Sequence, residues 1–146
     1  MIRYETETTI SAAAFIDVLE RSTLSERRPV NEPERIQKML DNAPVLVTAW
    51  DGEKLVGVSR AITDLAFCTY LSDLAVDVAY QKSGIGKQLV AITHEVAGHD
   101  TNLILLAAPA AAQYYPKIGM EQFSDCFLLR KKKPPQKNPC KGFFIL

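Results

Sequence analysis

The stretch Gln81-Lys82-Ser83-Gly84-Ile85-Gly86-Lys87 has the residue types and spacing to do chemistry. An apolar run, Leu74-Ala75-Val76-Asp77-Val78, leads into it, and an amphipathic segment from Ile85 leaves it. A strand that turns into a helix in this way aims several backbone N–H groups and the positive end of a helix dipole at one small volume. Such a volume suits phosphate. Glycine belongs there because a Cβ would hold an anion off the peptide plane and because such turns often need φ > 0. The spacing also excludes two common phosphate loops. A P-loop has four residues between its glycines and then Gly-Lys-Ser/Thr, whereas Gly84 and Gly86 are one residue apart and Lys87 is followed by Gln88. The dinucleotide pattern G-x-G-x-x-G fails at its third glycine, which is Leu89 here.

A second constellation lies downstream. Leu103-Ile104-Leu105-Leu106 reads as a buried strand, and Ala110-Ala111-Ala112-Gln113-Tyr114-Tyr115-Pro116-Lys117-Ile118-Gly119-Met120 follows it. Gly119 is placed to close a short helix in the left-handed conformation, and Pro116 should make that helix irregular.

Together these segments resemble the GNAT N-acetyltransferase superfamily. Gln81-x-x-Gly84-x-Gly86 after Leu-Ala-Val is similar to its motif A, whose loop wraps the pyrophosphate of acetyl-coenzyme A. Tyr115 and Gly119 match its F-Y-x-x-x-G-F ending. The resemblance spans Val45 to about Leu129. It implies a mixed α/β fold: a largely antiparallel sheet, helices on both faces, and parallel fourth and fifth strands that splay apart. The donor would be acetyl-CoA, its pantetheine arm lying in that gap against backbone atoms of Leu74, Val76 and Val78. Gln81, Lys82, Ser83, Gly84, Ile85, Gly86 and Lys87 would hold the diphosphate. A primary amine would attack the thioester directly, with Tyr115 protonating the departing thiolate; phenol and thiol pKa values within about two units make that transfer feasible. Asp73, Asp77 or a water chain would take the amine proton. Two departures stand out: Ala108 replaces a frequent Asn, and Val78 replaces a frequent Pro. A non-catalytic CoA-binding sensor of the same fold is the alternative.

The elements that must position these residues are legible in outline. Ile2-Arg3-Tyr4 reads as a strand, and Ser11 as the N-cap of a helix with Ile10 and Phe15 as its hydrophobic staple. Asn31 with Glu34 reads as the cap of a second helix burying Ile36, Met39 and Leu40. Val45–Trp50 and Lys54–Ile62 form a hairpin through Asp51-Gly52. A long strand over 67–78 leads to the loop, and the helix after it should bury Ile85, Leu89, Ile92 and Val96. Strands over 102–107, 121–123 and 126–129 complete the sheet. Period-two alternation puts Asp73 and Asp77 on one face unless a bulge intervenes.

Composition sets the bounds. One domain over 1–130 is expected from 146 residues, followed by a Lys- and Pro-rich extension, 131–146. Equal numbers of basic and acidic residues, 17 each, provide no field to recruit nucleic acid or an anionic membrane. No run approaches a membrane span of roughly 18 apolar residues, and the N-terminus lacks a signal-peptide pattern. Cys68, Cys126 and Cys140 form no C-x-x-C pair and fit a reducing cytoplasm. His94 and His99, five apart, lack the i, i+4 ligand spacing, so no metal site is expected. Arg27 and Arg28 are candidates to bind a carboxylate or phosphate on a small-molecule amine acceptor. The apolar end, Phe143-Phe144-Ile145-Leu146, calls for burial on its own domain or on a second copy in a homodimer.

Overall fold

A computed structural model describes residues 1–132. The expected tail contacts and Cys140 lie outside the described residues. Five strands, β1 (Ile2–Glu5), β2 (Val45–Asp51), β3 (Lys54–Thr63), β4 (Cys68–Val76) and β5 (Asn102–Ile104), form one sheet in chain order. The first four are antiparallel, and β4 and β5 are parallel. Helices α1 (Ala12–Arg21) and α2 (Pro33–Asp41) cover one face, where Phe15, Val18, Leu19 and Ile36 pack on Leu55, Val58 and Ala75. Helix α3 (Ile85–Ala97) covers the other, packing Ile85, Leu89 and Ala97 on Val45, Val47, Val56 and Leu71. No helix among the described residues is long and apolar enough to cross a membrane.

Local chemistry explains most boundaries. Ser11 caps α1, its Oγ accepting from the Ala14 N–H at 3.1 Å. The second helix departs from expectation: Glu32, not Asn31, is the N-cap, because Pro33 at the first helical position supplies a preset φ and no surplus donor. The buried stripe of α3 also differs. It is Ile85, Leu89, Thr93 and Ala97, four apart each time, and Val96 is exposed. Thr93 occupies a core position because its hydroxyl is hydrogen-bonded to Ser59 and to the Leu89 carbonyl. Close approach of α3 to β3 is possible because residue 57 is glycine; a Cβ there would lie 3.1 Å from a Leu89 methyl.

Two features of the sheet shape the site. Arg60 pairs with Asp73 but Ala61 pairs with Leu71, so Ser72 is an extra residue, a β-bulge in β4. The bulge precedes both Asp73 and Asp77, which therefore stay on one face. Second, β4 and β5 pair over only three positions, from Cys68↔Asn102 to Tyr70↔Ile104. Beyond Tyr70 the two strands part. The strands expected over 121–123 and 126–129 do not form: that segment has no ladder partner among the described residues, and an apolar pattern without a partner does not make a strand.

Candidate active site

The edge of β4 that faces the gap carries backbone groups with no partner among the described residues. Asp77 donates its N–H to the Val56 carbonyl at 2.8 Å. Such bonds alternate along an antiparallel pair, so Ala75 and Asp73 also turn toward β3, while Leu74 and Val76 turn their N–H and C=O groups away from it. The Val76 carbonyl accepts from Gln81 Nε2 at 3.0 Å, which leaves its N–H open. Val78 lies past the strand in a 3-10 turn, Val78–Tyr80, and its carbonyl is taken by the Gln81 N–H at 3.4 Å.

The loop that follows is held from behind. Ser83 Oγ donates to the Tyr80 carbonyl, and Tyr80 Oη donates to Asp51 Oδ2 at 2.7 Å, tying the turn to the β2–β3 hairpin. Lys82 is left-handed (φ 65°), as is Gly84 (φ 86°), the N-cap of α3. Left-handed residues of this kind build concave arrays of N–H groups. The first bond of α3 runs from the Gln88 N–H to the Gly84 carbonyl at 3.1 Å. Before it, the N–H groups of Lys82, Ser83, Gly84, Ile85 and Gly86 have no acceptor among the described residues. Lys82 and Lys87 are exposed beside them, and Ile85 is buried under the sheet. An array of open amides flanked by two ammonium groups, at the head of a 13-residue helix, fits a diphosphate.

A short helix, α4 (Tyr114–Lys117), brings its aromatic rings to this loop. A Cβ built on Gly86 would meet Tyr114 Oη at 2.7 Å. The Tyr115 ring stands edge-on to Tyr114 at 5.3 Å between centroids. Burial, and then the neighbouring Tyr114, raise the Tyr115 phenol above its ordinary value, so it keeps its proton at neutral pH. That is the state a proton donor needs. Sequence reasoning gave Tyr114 no role; its only signal was a second hydroxyl beside Tyr115.

The carboxylates are placed less freely than expected. Asp73 is fully buried, with Oδ1 accepting from Arg28 Nε and Oδ2 from Arg60 Nε. Arg28 also donates to the Ser72 carbonyl at 2.6 Å, so it clamps the bulge to the segment after α1. Asp73 thus spends both oxygens on guanidinium groups, and Arg28 acts as an anchor. Arg27 is exposed and pairs with no side chain among the described residues. Asp77 is buried too, its Oδ2 2.6 Å from Arg21 Nη1. Burial pushes the Asp77 carboxyl up, but the Ala79 N–H, Arg21 and Lys54 outweigh it and hold it below the usual value.

Comparison with known proteins agrees with this fold. The sequence model of the acetyltransferase (GNAT) domain matches residues 15–128. The chloroplastic GCN5-related N-acetyltransferase 2 of Arabidopsis thaliana is 36% identical over 78 residues, which cover 49% of this chain and 30% of that protein. The chain thus spans under a third of that relative's length. Among solved structures, a GNAT-family acetyltransferase from Streptococcus pneumoniae TIGR4 superposes with a TM-score of 0.71 at 20% identity, covering 91% of this chain and 98% of that one. An aminoglycoside acetyltransferase from an uncultured soil metagenomic sample, solved with sisomicin, superposes with a TM-score of 0.64 at 19% identity, over 89% and 97% of the two chains. With a family match over residues 15–128, most of its length, the chain belongs to the GNAT acetyltransferase family.

Proposed function

We propose that the protein transfers an acetyl group from acetyl-CoA to a primary amine of a small molecule. The observation that carries this reading is the run of open N–H groups from Lys82 to Gly86, continuous with the unpaired β4 edge at Leu74 and Val76. Diphosphate on the first and pantetheine along the second would satisfy backbone groups that otherwise face solvent. The thioester carbonyl oxygen would accept from the Val76 N–H, which polarises the carbonyl. The amine lone pair then attacks the carbonyl carbon, the C–S bond breaks, and the thiolate takes the Tyr115 proton. The amine's surplus proton leaves through water, which returns a proton to the Tyr115 phenolate, since Asp73 and Asp77 are both committed to arginines. Catalysis rests on holding the two reactants together and on proton delivery.

A small acceptor is supported by the charge balance, which offers a polymer no field, and by the sisomicin-bound structure of the same fold. Arg27, exposed and pairing with no side chain among the described residues, would meet an anionic group on that acceptor. A homodimer belongs with the reading: Phe123, Phe127 and Leu129 are 70%, 94% and 95% exposed, an apolar run that a second copy would cover.

CoA release across a panel of amines tests this reading. Turnover on at least one amine, abolished by Gly84→Glu, supports it. Tight CoA binding with no turnover on any amine identifies a sensor, and no CoA binding refutes both.

A further inference from the structure

Gly86 has no conformational reason to be glycine. It lies within α3, its φ is not positive, and glycine weakens a helix relative to alanine. Gly84 is the contrasting case: its φ is 86°, and a Cβ there would meet nothing within 4 Å. One glycine supplies a turn, the other supplies room. The room is filled by the Tyr114 phenol, whose Oη would lie 2.7 Å and Cζ 3.4 Å from a Cβ at position 86.

The hydroxyl is the part of Tyr114 that packing does not require. A phenylalanine would fill the same volume and make the same edge-on contact with Tyr115. The hydroxyl instead sits at the first turn of α3. Burial raises its pKa, while the backbone N–H of Lys87 facing it acts in the opposite sense, favouring charge on that oxygen. A phenol hydroxyl at that position can turn its O–H toward a ligand on the loop. The residue is also partly exposed, 36%, so a ligand on the loop can reach it.

Accordingly, we propose that the Tyr114 hydroxyl is a ligand of the donor's diphosphate, donating its O–H to a phosphate oxygen, and that Gly86 is glycine to admit it. The inference rests on the acetyl-CoA reading and extends it. It makes the anion site span two elements, α3 and α4, so the bound diphosphate would also fix α4 and the Tyr115 beside it.

The test compares wild type, Tyr114→Phe, Gly86→Ala and the double variant with two donors, acetyl-CoA and acetyl-pantetheine, which has no diphosphate. Loss of one charge-assisted hydrogen bond should raise the Tyr114→Phe KM for acetyl-CoA by about tenfold. Its KM for acetyl-pantetheine and its ligand-free melting curve should stay near wild type. Gly86→Ala should raise the acetyl-CoA KM more, and adding Tyr114→Phe should bring it back toward the Tyr114→Phe value. Unchanged acetyl-CoA KM in Tyr114→Phe, or an equal rise with acetyl-pantetheine, overturns the inference. So does a Gly86→Ala defect that the second substitution does not relieve. Wild type that fails to bind CoA sinks the underlying cofactor reading instead.

Discussion

At the scale of single residues, Tyr115 and Asp73, the sequence candidates for proton donor and for base, sit in different surroundings. Tyr115 keeps its proton because burial disfavours the phenolate. Its replacement by Phe should cut kcat by about a hundredfold or more, with CoA affinity retained, in a single-turnover CoA-release assay. Asp73 is a buried acceptor for Arg28 and Arg60. Asp73→Asn should therefore act on stability first, since it leaves two guanidinium groups without their counter-charge. Urea unfolding should show a loss of about 3–5 kcal/mol. A variant of wild-type stability with abolished turnover would instead make Asp73 the base. The Asp73 cluster was not legible in the sequence because its members are 13 and 45 residues away from the aspartate, and the Ser72 bulge sets their alignment. A one-residue bulge leaves no compositional trace.

Elements hold the site open, and their turns do much of that work. The turn between β3 and β4 is closed by Asp64, whose Oδ1 accepts from the N–H groups of Ala66, Phe67 and Cys68. Those three N–H groups, Phe67 first, lower its carboxyl to about 2. The folded value lies below the unfolded one, near 3.9. The turn's contribution is thus complete above about pH 4 and is lost as pH falls toward 2. A carbon-detected NMR titration should place the Asp64 midpoint near 2, and a midpoint near 4 would contradict the turn geometry. At the start of α3, Gly84→Ala forces a Cβ into the left-handed region at an expected cost of about 1–2 kcal/mol. Thermal unfolding should register that loss, together with weaker CoA binding. The strand–loop–helix around Gly84 was legible because strand, glycines and helix are contiguous in the chain. The α3 stripe was misread at Thr93 and Val96, because a buried hydroxyl partnered by Ser59 looks polar in sequence.

For the whole molecule, the elements of the first five strands and of the helices on both faces were legible from the hairpin signal and the periodicities, and the parallel fourth and fifth strands from the family resemblance. The run from Phe123 to Leu129 is where pattern and structure part, since its apolar residues lie exposed and without a strand partner. If a second copy covers them, sedimentation velocity should show a dimer for wild type and a monomer for Phe127→Ser with Leu129→Ser. A wild-type monomer at every concentration would rule that assembly out. The gap between β4 and β5 and the open amides beside it are where CoA would bind. Amide-resolved NMR of the full chain titrated with CoA tests it most directly. Saturable shifts concentrated at Lys82–Lys87, with smaller ones at Leu74 and Val76, are the expected result. CoA binding that leaves those amides unmoved would contradict it.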